Sequence, residues 1–105
     1  LKMLNIIKHT YGLNFKDVQE YLPQLTIHNE VVTSGAILHL EIMYNQQRLN
    51  LFIDTHTQQY CFNAADENVN DVMYEIGDIA LAKYRHYKNN REALISYILK
   101  NLTSL

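Results

Sequence analysis

His39, Glu41, Asp54 and Cys61 are the residues of this chain whose types could do chemistry together, with His56 nearby in sequence. A histidine beside a carboxylate is the arrangement of a general base and the group that orients it. Histidines and carboxylates on neighbouring strands can also hold zinc. The spacing supports neither chemistry. The chain has no His-x-x-x-His, Cys-x-x-Cys or His-Glu-x-x-His motif, and no Ser or Thr lies in Gly-x-Ser-x-Gly. Gly12, Gly35 and Gly77 are isolated, so there is no phosphate loop. Cys61 lacks a basic sequence neighbour that would activate its thiol. The same side chains equally suit a solvated sheet face with cross-strand polar pairs. No catalytic residue, metal site or cofactor is therefore expected. A small hydrolase or metal enzyme using the His39/Glu41/Asp54 face ranks third among the functional readings.

These residues are positioned by Ala36–Asn63, which reads as a three-stranded antiparallel meander. Leu38, Leu40, Ile42 and Tyr44 alternate in the first strand, Leu49, Leu51 and Ile53 in the second, and Tyr60 and Phe62 in the third. The expected register has two four-residue loops, Asn45–Arg48 and Thr55–Gln58, a common hairpin length. A two-residue loop at Asn45–Gln46 is disfavoured because it lacks glycine. In the expected register His39 faces Asp54, Glu41 faces Phe52, and Phe52 faces Cys61. Ile37, Met43 and Phe52 on this face are too apolar for a purely solvated surface. Either a second layer of core, formed under the C-terminal helix pair, or a partner must cover them. The candidate partner-binding surface is thus His39, Glu41, Met43, Phe52 and Asp54.

Helical signals flank the meander. Met3, Leu4, Ile7 and Tyr11 fall on one helical stripe, with Gly12 as a stop. Asn14 with Asp17 forms a cap for a second helix carrying Val18, Tyr21, Leu22 and Leu25, limited by Pro23. Leu25–Thr33 reads as an irregular strand. Val69, Val72, Met73, Ile76, Ile79, Ala80, Tyr84 and Tyr87 follow the 3.6-residue period of a long third helix. Its acidic start and basic end suit the helix macrodipole. Asn89 with Glu92 opens a last helix bearing Leu94, Ile95, Ile98, Leu99 and Leu102. The expectation is one α+β domain over residues 1–105. It has a three- to four-stranded antiparallel meander, N-terminal helices and a C-terminal helix pair.

Two stretches point to nucleic acid. Lys83, Arg85, Lys88 and Arg91 interleave with Tyr84, His86 and Tyr87, a mixture that can bind phosphates and stack bases. Helix C-terminal charge on a core stripe explains most of the same pattern. Residues 17–22 followed by 26–32 resemble a helix-turn-helix, with the meander as a wing. Pro23 stands where the turn normally wants glycine, and the second segment holds no Lys or Arg.

Composition narrows the class. The chain has 105 residues, 48% of them hydrophobic, enough for one core. A formal charge of −2 argues against a bulk nucleic-acid footprint. One cysteine permits no intrachain disulfide. Leu1–Tyr11 is too short, and too interrupted by Lys8 and His9, for a leader or a membrane span. The reading is a cytoplasmic protein of bacterial or phage origin, from an AT-rich gene. It is a non-enzymatic protein-binding module, such as an inhibitor or immunity protein that occludes its partner. The alternative is a nucleic-acid-binding regulator. Homodimerisation through an edge strand is left open.

Overall fold

The alternation in Ala36–Asn63 does build a meander, and the strand that joins it comes from the segment expected to be a helix. In the computed structural model, which describes residues 4–26, 28, 35–64 and 67–104, the fold is α+β. The chain divides into two compact units, Leu1–Ala64 and Ala65–Leu105.

In the first unit β1 (Asn5–Leu13), β2 (Ile37–Tyr44), β3 (Gln47–Asp54) and β4 (Gln59–Phe62) form an antiparallel sheet in the order β1-β2-β3-β4. The expected first helix is therefore strand β1. Ile6, His9 and Tyr11 pair with Ile42, Leu40 and Leu38, while Lys8, Thr10 and Leu13 pair with Glu41, His39 and Ile37. Register shifts fall between Ile6 and Lys8 and between Tyr11 and Leu13. Gly12, the residue at the second shift, has φ +90°. That backbone suits a glycine at a bulge, not a helix stop.

The two hairpins differ in how far they follow expectation. Between β3 and β4, Ile53 pairs with Tyr60 and Leu51 with Phe62, as the alternation predicts. Between β2 and β3 the disfavoured two-residue turn is the one formed. Tyr44 pairs with Gln47, Ile42 with Leu49, Leu40 with Leu51 and Leu38 with Ile53. Asn45 and Gln46 both adopt positive φ, 50° and 69°, the conformation of a tight turn whose twist matches the strands. The faces are unchanged, because the shift is two residues. The partners on each face do change: His39 lies opposite Phe52, Glu41 opposite Asn50, and Ile37 opposite Asp54.

One sheet face is apolar and buried, through Ile6, Leu38, Leu40, Ile42, Leu49, Leu51, Ile53 and Phe62. The other is covered at one end by α1 (Phe15–Gln19) and a 3-10 turn (Leu22–Gln24). Asn14 starts α1 as expected: its side chain accepts from Asp17 N–H at 3.0 Å, and Asp17 accepts from Asn14 N–H at 3.3 Å. Val18 and Leu25 then bury themselves against Ile37, Phe52 and Cys61, with Leu13, Tyr21 and Leu22 at the margin. Of the expected strand at Leu25–Thr33, most lies outside the described residues; His28 makes an isolated antiparallel bridge to Phe62.

The second unit is a helical hairpin of α2 (Glu67–Tyr87) and α3 (Arg91–Asn101). The α3 cap is Asn90 rather than Asn89, its side chain accepting from Ala93 N–H at 3.1 Å. Val69, Val72, Met73, Ile76 and Ala80 on α2 and Leu94 and Ile98 on α3 are buried, as their helical spacing requires. Beyond α3 the chain turns onto α2, where Thr103 and Ser104 donate to the Glu75 carboxylate. Among the described residues, no helix is long and apolar enough to cross a membrane.

Candidate functional site

The sheet face that carries His39 is divided. At one end Ile37, Phe52 and Cys61 lie beneath α1 and the 3-10 turn. At the other, the pairings of Lys8 with Glu41 and of Met43 with Arg48 place charged and apolar side chains alternately on the same surface. Arg48 donates to Glu41 at 3.2 Å, and their side chains are 62% and 19% exposed. Lys8 is exposed and Met43 half-buried. Surface ion pairs of this kind contribute little stability, so the pair matters for what it presents outward.

His39 sits on the boundary. Its ring stacks on Phe52, with centroids 4.4 Å apart and planes at 11°. Tyr21, from the covering segment, leans over both, 5.7 Å from His39 and 5.2 Å from Phe52. Nε2–H of His39 donates to Asn50 Oδ1 at 2.8 Å. Asn50 is itself buried, and its backbone N–H donates to Asn63 Oδ1 at 3.4 Å. Burial holds the imidazole below the ordinary histidine range, helped by Lys8 and opposed by the Asn50 hydrogen bond and the Glu41 charge. The ring is neutral at pH 7, as a buried histidine with an amide partner should be.

Of the five expected contact residues, Glu41 and Met43 lie in the open half, and His39 lies at its inner edge. Phe52 is fully buried within the unit and forms its core. Asp54 is also buried, and it organises the β3–β4 turn. Its Oδ1 accepts from His56 N–H at 3.0 Å and Thr57 N–H at 3.1 Å, and its carbonyl accepts from Gln58 N–H at 2.8 Å. The His39–Asp54 pairing of the expected register is therefore replaced by His39 opposite Phe52, with an amide rather than a carboxylate on Nε2. Cys61 is a buried thiol opposite Phe52. Among the described residues, no group of three or more His, Cys, Asp or Glu is arranged to hold a metal ion.

Asn50 and Asn63 fall on this face by the alternation itself, while Tyr21 and Lys8 reach it from segments that read as helical. A signal for Asn50 existed: asparagine is disfavoured in strands, yet it stands between Leu49 and Leu51 in one.

The residues read as nucleic-acid contacts lie on the second unit. Arg85 and Lys88 are exposed near the end of α2, and Arg91 is exposed at the first position of α3. Lys83 Nζ lies 5.2 Å from the centroid of the Tyr97 ring, which is 5.7 Å from the Tyr87 ring. In the N-terminal third, the expected first helix of a helix-turn-helix is five residues long and its Val18 is part of the unit's core. The expected second helix lies largely outside the described residues.

Comparison with protein-family models, with curated proteins and with solved structures finds no match to this chain.

Proposed function

We propose that this chain is a non-enzymatic protein-binding module whose docking surface is the open half of the divided face. The observation that carries this is the arrangement of Lys8, Glu41, Met43 and Arg48 beside a face already closed by α1. A half-buried methionine framed by charges of both signs suits a protein partner: Met supplies adaptable apolar contact, and the charges supply register and steering. His39, Asn50 and Phe52 adjoin it on the same sheet face. Occluding a partner as an inhibitor or immunity protein is consistent with a small cytoplasmic α+β chain of bacterial or phage origin, and that part rests on size and composition.

The test is capture from a lysate of the source organism after nuclease treatment, comparing wild type with Met43→Asp and the Glu41→Arg/Arg48→Glu exchange. Circular dichroism would establish that the variants fold. A stoichiometric protein bound by wild type and lost from folded Met43→Asp is expected. Equal capture by all three would refute the surface.

A further inference from the structure

We infer that this docking surface receives a carboxylate side chain of its protein partner, bound by Lys8, Arg48 and the Asn50 amide. The inference rests on the reading of the open half as a protein-docking surface, and it names the chemistry the partner must bring. Lys8 on β1 and Asn50 on β3 stand directly opposite Glu41 on β2, one on each side. Directly opposed residues of adjacent strands share a face. Arg48, diagonal to Glu41 on β3, reaches it at 3.2 Å. Lys8 and Glu41 also both act by charge on the His39 ring, on the same face.

Donors from three side chains thus surround one resident carboxylate, which uses little of what they offer. The Glu41–Arg48 contact is a single guanidinium N–H to Oε1. Among the described residues the Lys8 ammonium makes no ion pair. Asn50 gives its Oδ1 to His39, and no described group accepts from its Nδ2. Asn50 is only 7% exposed. Burial and the His39 hydrogen bond therefore fix its amide in place before a ligand arrives, which lowers the ordering cost of binding. The Arg48 side chain is far more exposed than that of Glu41, so a partner meets the guanidinium first.

The occupant follows from charge and shape. Lys8 and Arg48 set two cations against the one carboxylate of Glu41, on a chain whose formal charge is −2. The patch is complementary to an anion although the chain as a whole is not. A carboxylate offers its oxygens in one plane, which matches a guanidinium fork and amide N–H groups. A phosphomonoester carries more negative charge, which Glu41 opposes. Met43, half-buried and opposite Arg48, adds apolar contact beside the cations. An Asp or Glu set among apolar side chains of a protein can use that contact; a nucleic-acid backbone has no apolar group to offer it.

The experiment titrates the isotope-labelled full chain with the dipeptide acetyl-Leu-Glu-amide at low salt. Acetyl-Leu-Gln-amide and acetyl-Leu-phosphoserine-amide serve as comparisons. Two-dimensional NMR follows the side-chain N–H resonances of Asn50 and Arg48, and spectral dispersion checks the fold of each variant. The expected result is a shift concentrated at these two residues and their neighbours, with the Glu peptide binding several-fold tighter than either comparison. Lys8→Gln and Arg48→Gln each weaken that binding several-fold. Glu41→Gln, which removes the resident carboxylate, strengthens it. Unmoved Asn50 and Arg48 resonances, equal binding of the Gln peptide, or unchanged affinity in the folded Lys8 and Arg48 variants would overturn the inference. So would tighter binding of the phosphoserine peptide, which would make this a phosphate site, or weaker binding in folded Glu41→Gln. The outcome is separable from that of lysate capture. Capture lost in Met43→Asp, with a dipeptide that leaves Asn50 unmoved, removes the carboxylate site and leaves the docking surface standing. Shifted Asn50 resonances with capture indifferent to Met43 overturn the docking surface, and with it the protein source of the carboxylate.

Discussion

His39 Nε2–H donates to Asn50 Oδ1 at 2.8 Å from inside a sheet face, and both residues are buried. Each satisfies a polar group the other could not leave in an apolar layer. Truncating Asn50 to Ala removes the acceptor while the imidazole stays in place, at a cost of about 1–3 kcal/mol. His39→Phe with Asn50→Leu removes both partners and keeps the stack on Phe52, so the double variant should recover much of that loss. Urea unfolding midpoints of the three proteins test this. A double variant at least as destabilised as Asn50→Ala would show that the lost hydrogen bond is not what costs the stability.

The same histidine gives stability a pH dependence whose sign is fixed by burial. Burial, aided by Lys8 and opposed by Asn50 and Glu41, lowers its folded-state pKa. Between that value and the unfolded value of about 6.5 the unfolded chain binds more protons, so stability rises with pH across the window. It is fully present above the unfolded value and declines as pH falls below it. Comparing wild type with His39→Gln between neutral and mildly acidic pH isolates this contribution. The variant's stability should fall less steeply; identical slopes would show that His39 is not the group responsible.

The Asn45–Gln46 turn carries a residue poorly matched to its backbone. Gln46 has φ 69°, a left-handed conformation that costs a non-glycine residue about 1–2 kcal/mol. Gln46→Gly converts the pair to Asn-Gly, the favoured sequence for a two-residue hairpin. The prediction is a gain of about 1 kcal/mol, read as a higher midpoint of thermal or urea unfolding. A loss would mean that the Gln46 side chain makes a compensating contact.

That turn also shows where the sequence was legible and where it was not. Alternation assigned β2, β3 and β4 and their faces correctly, because one face is buried and period two is then strongly specified. It could not choose between registers two residues apart, which place the same side chains on the same faces. The choice fell to Asn45 and Gln46, and tertiary pairing overrode their turn preference. Strand β1 was hidden for a different reason. With Ile7 at a register shift, the residues paired to the apolar side of β2 are Ile6, His9 and Tyr11, a spacing of three and then two that breaks the alternation, while Met3, Leu4, Ile7 and Tyr11 happen to fall on a helical stripe. The long helices were legible from apolar spacing, and α1 from Asn14 and Asp17. The division of the candidate face was not. Phe52 reads identically whether a partner or α1 covers it, and only the packing of Val18 and Leu25 decides.

Glu75 closes the second unit by receiving the chain that follows α3. Its Oε1 accepts from Thr103 N–H at 2.6 Å and Ser104 N–H at 3.0 Å. Its Oε2 accepts from the Thr103 hydroxyl and, at 3.3 Å, from that of Ser104. Burial alone would push this carboxyl up. The Thr103 hydroxyl, the two amides and the Ser104 hydroxyl outweigh it and hold the group below the usual carboxylate range. A depressed carboxyl contributes stability that is present above its unfolded pKa and lost as pH falls through the folded one. Protonation should therefore release Thr103 and Ser104 together. In two-dimensional NMR spectra their amide resonances should move in concert over that acidic range, and stay nearly flat with pH in Glu75→Gln, which keeps an acceptor but no titrating charge. Because Glu75 is half-exposed, the effect on global stability is small, and the local amide signals are the sensitive readout. Independent titration of the two amides, or pH dependence surviving in Glu75→Gln, would show that this carboxylate does not hold the segment.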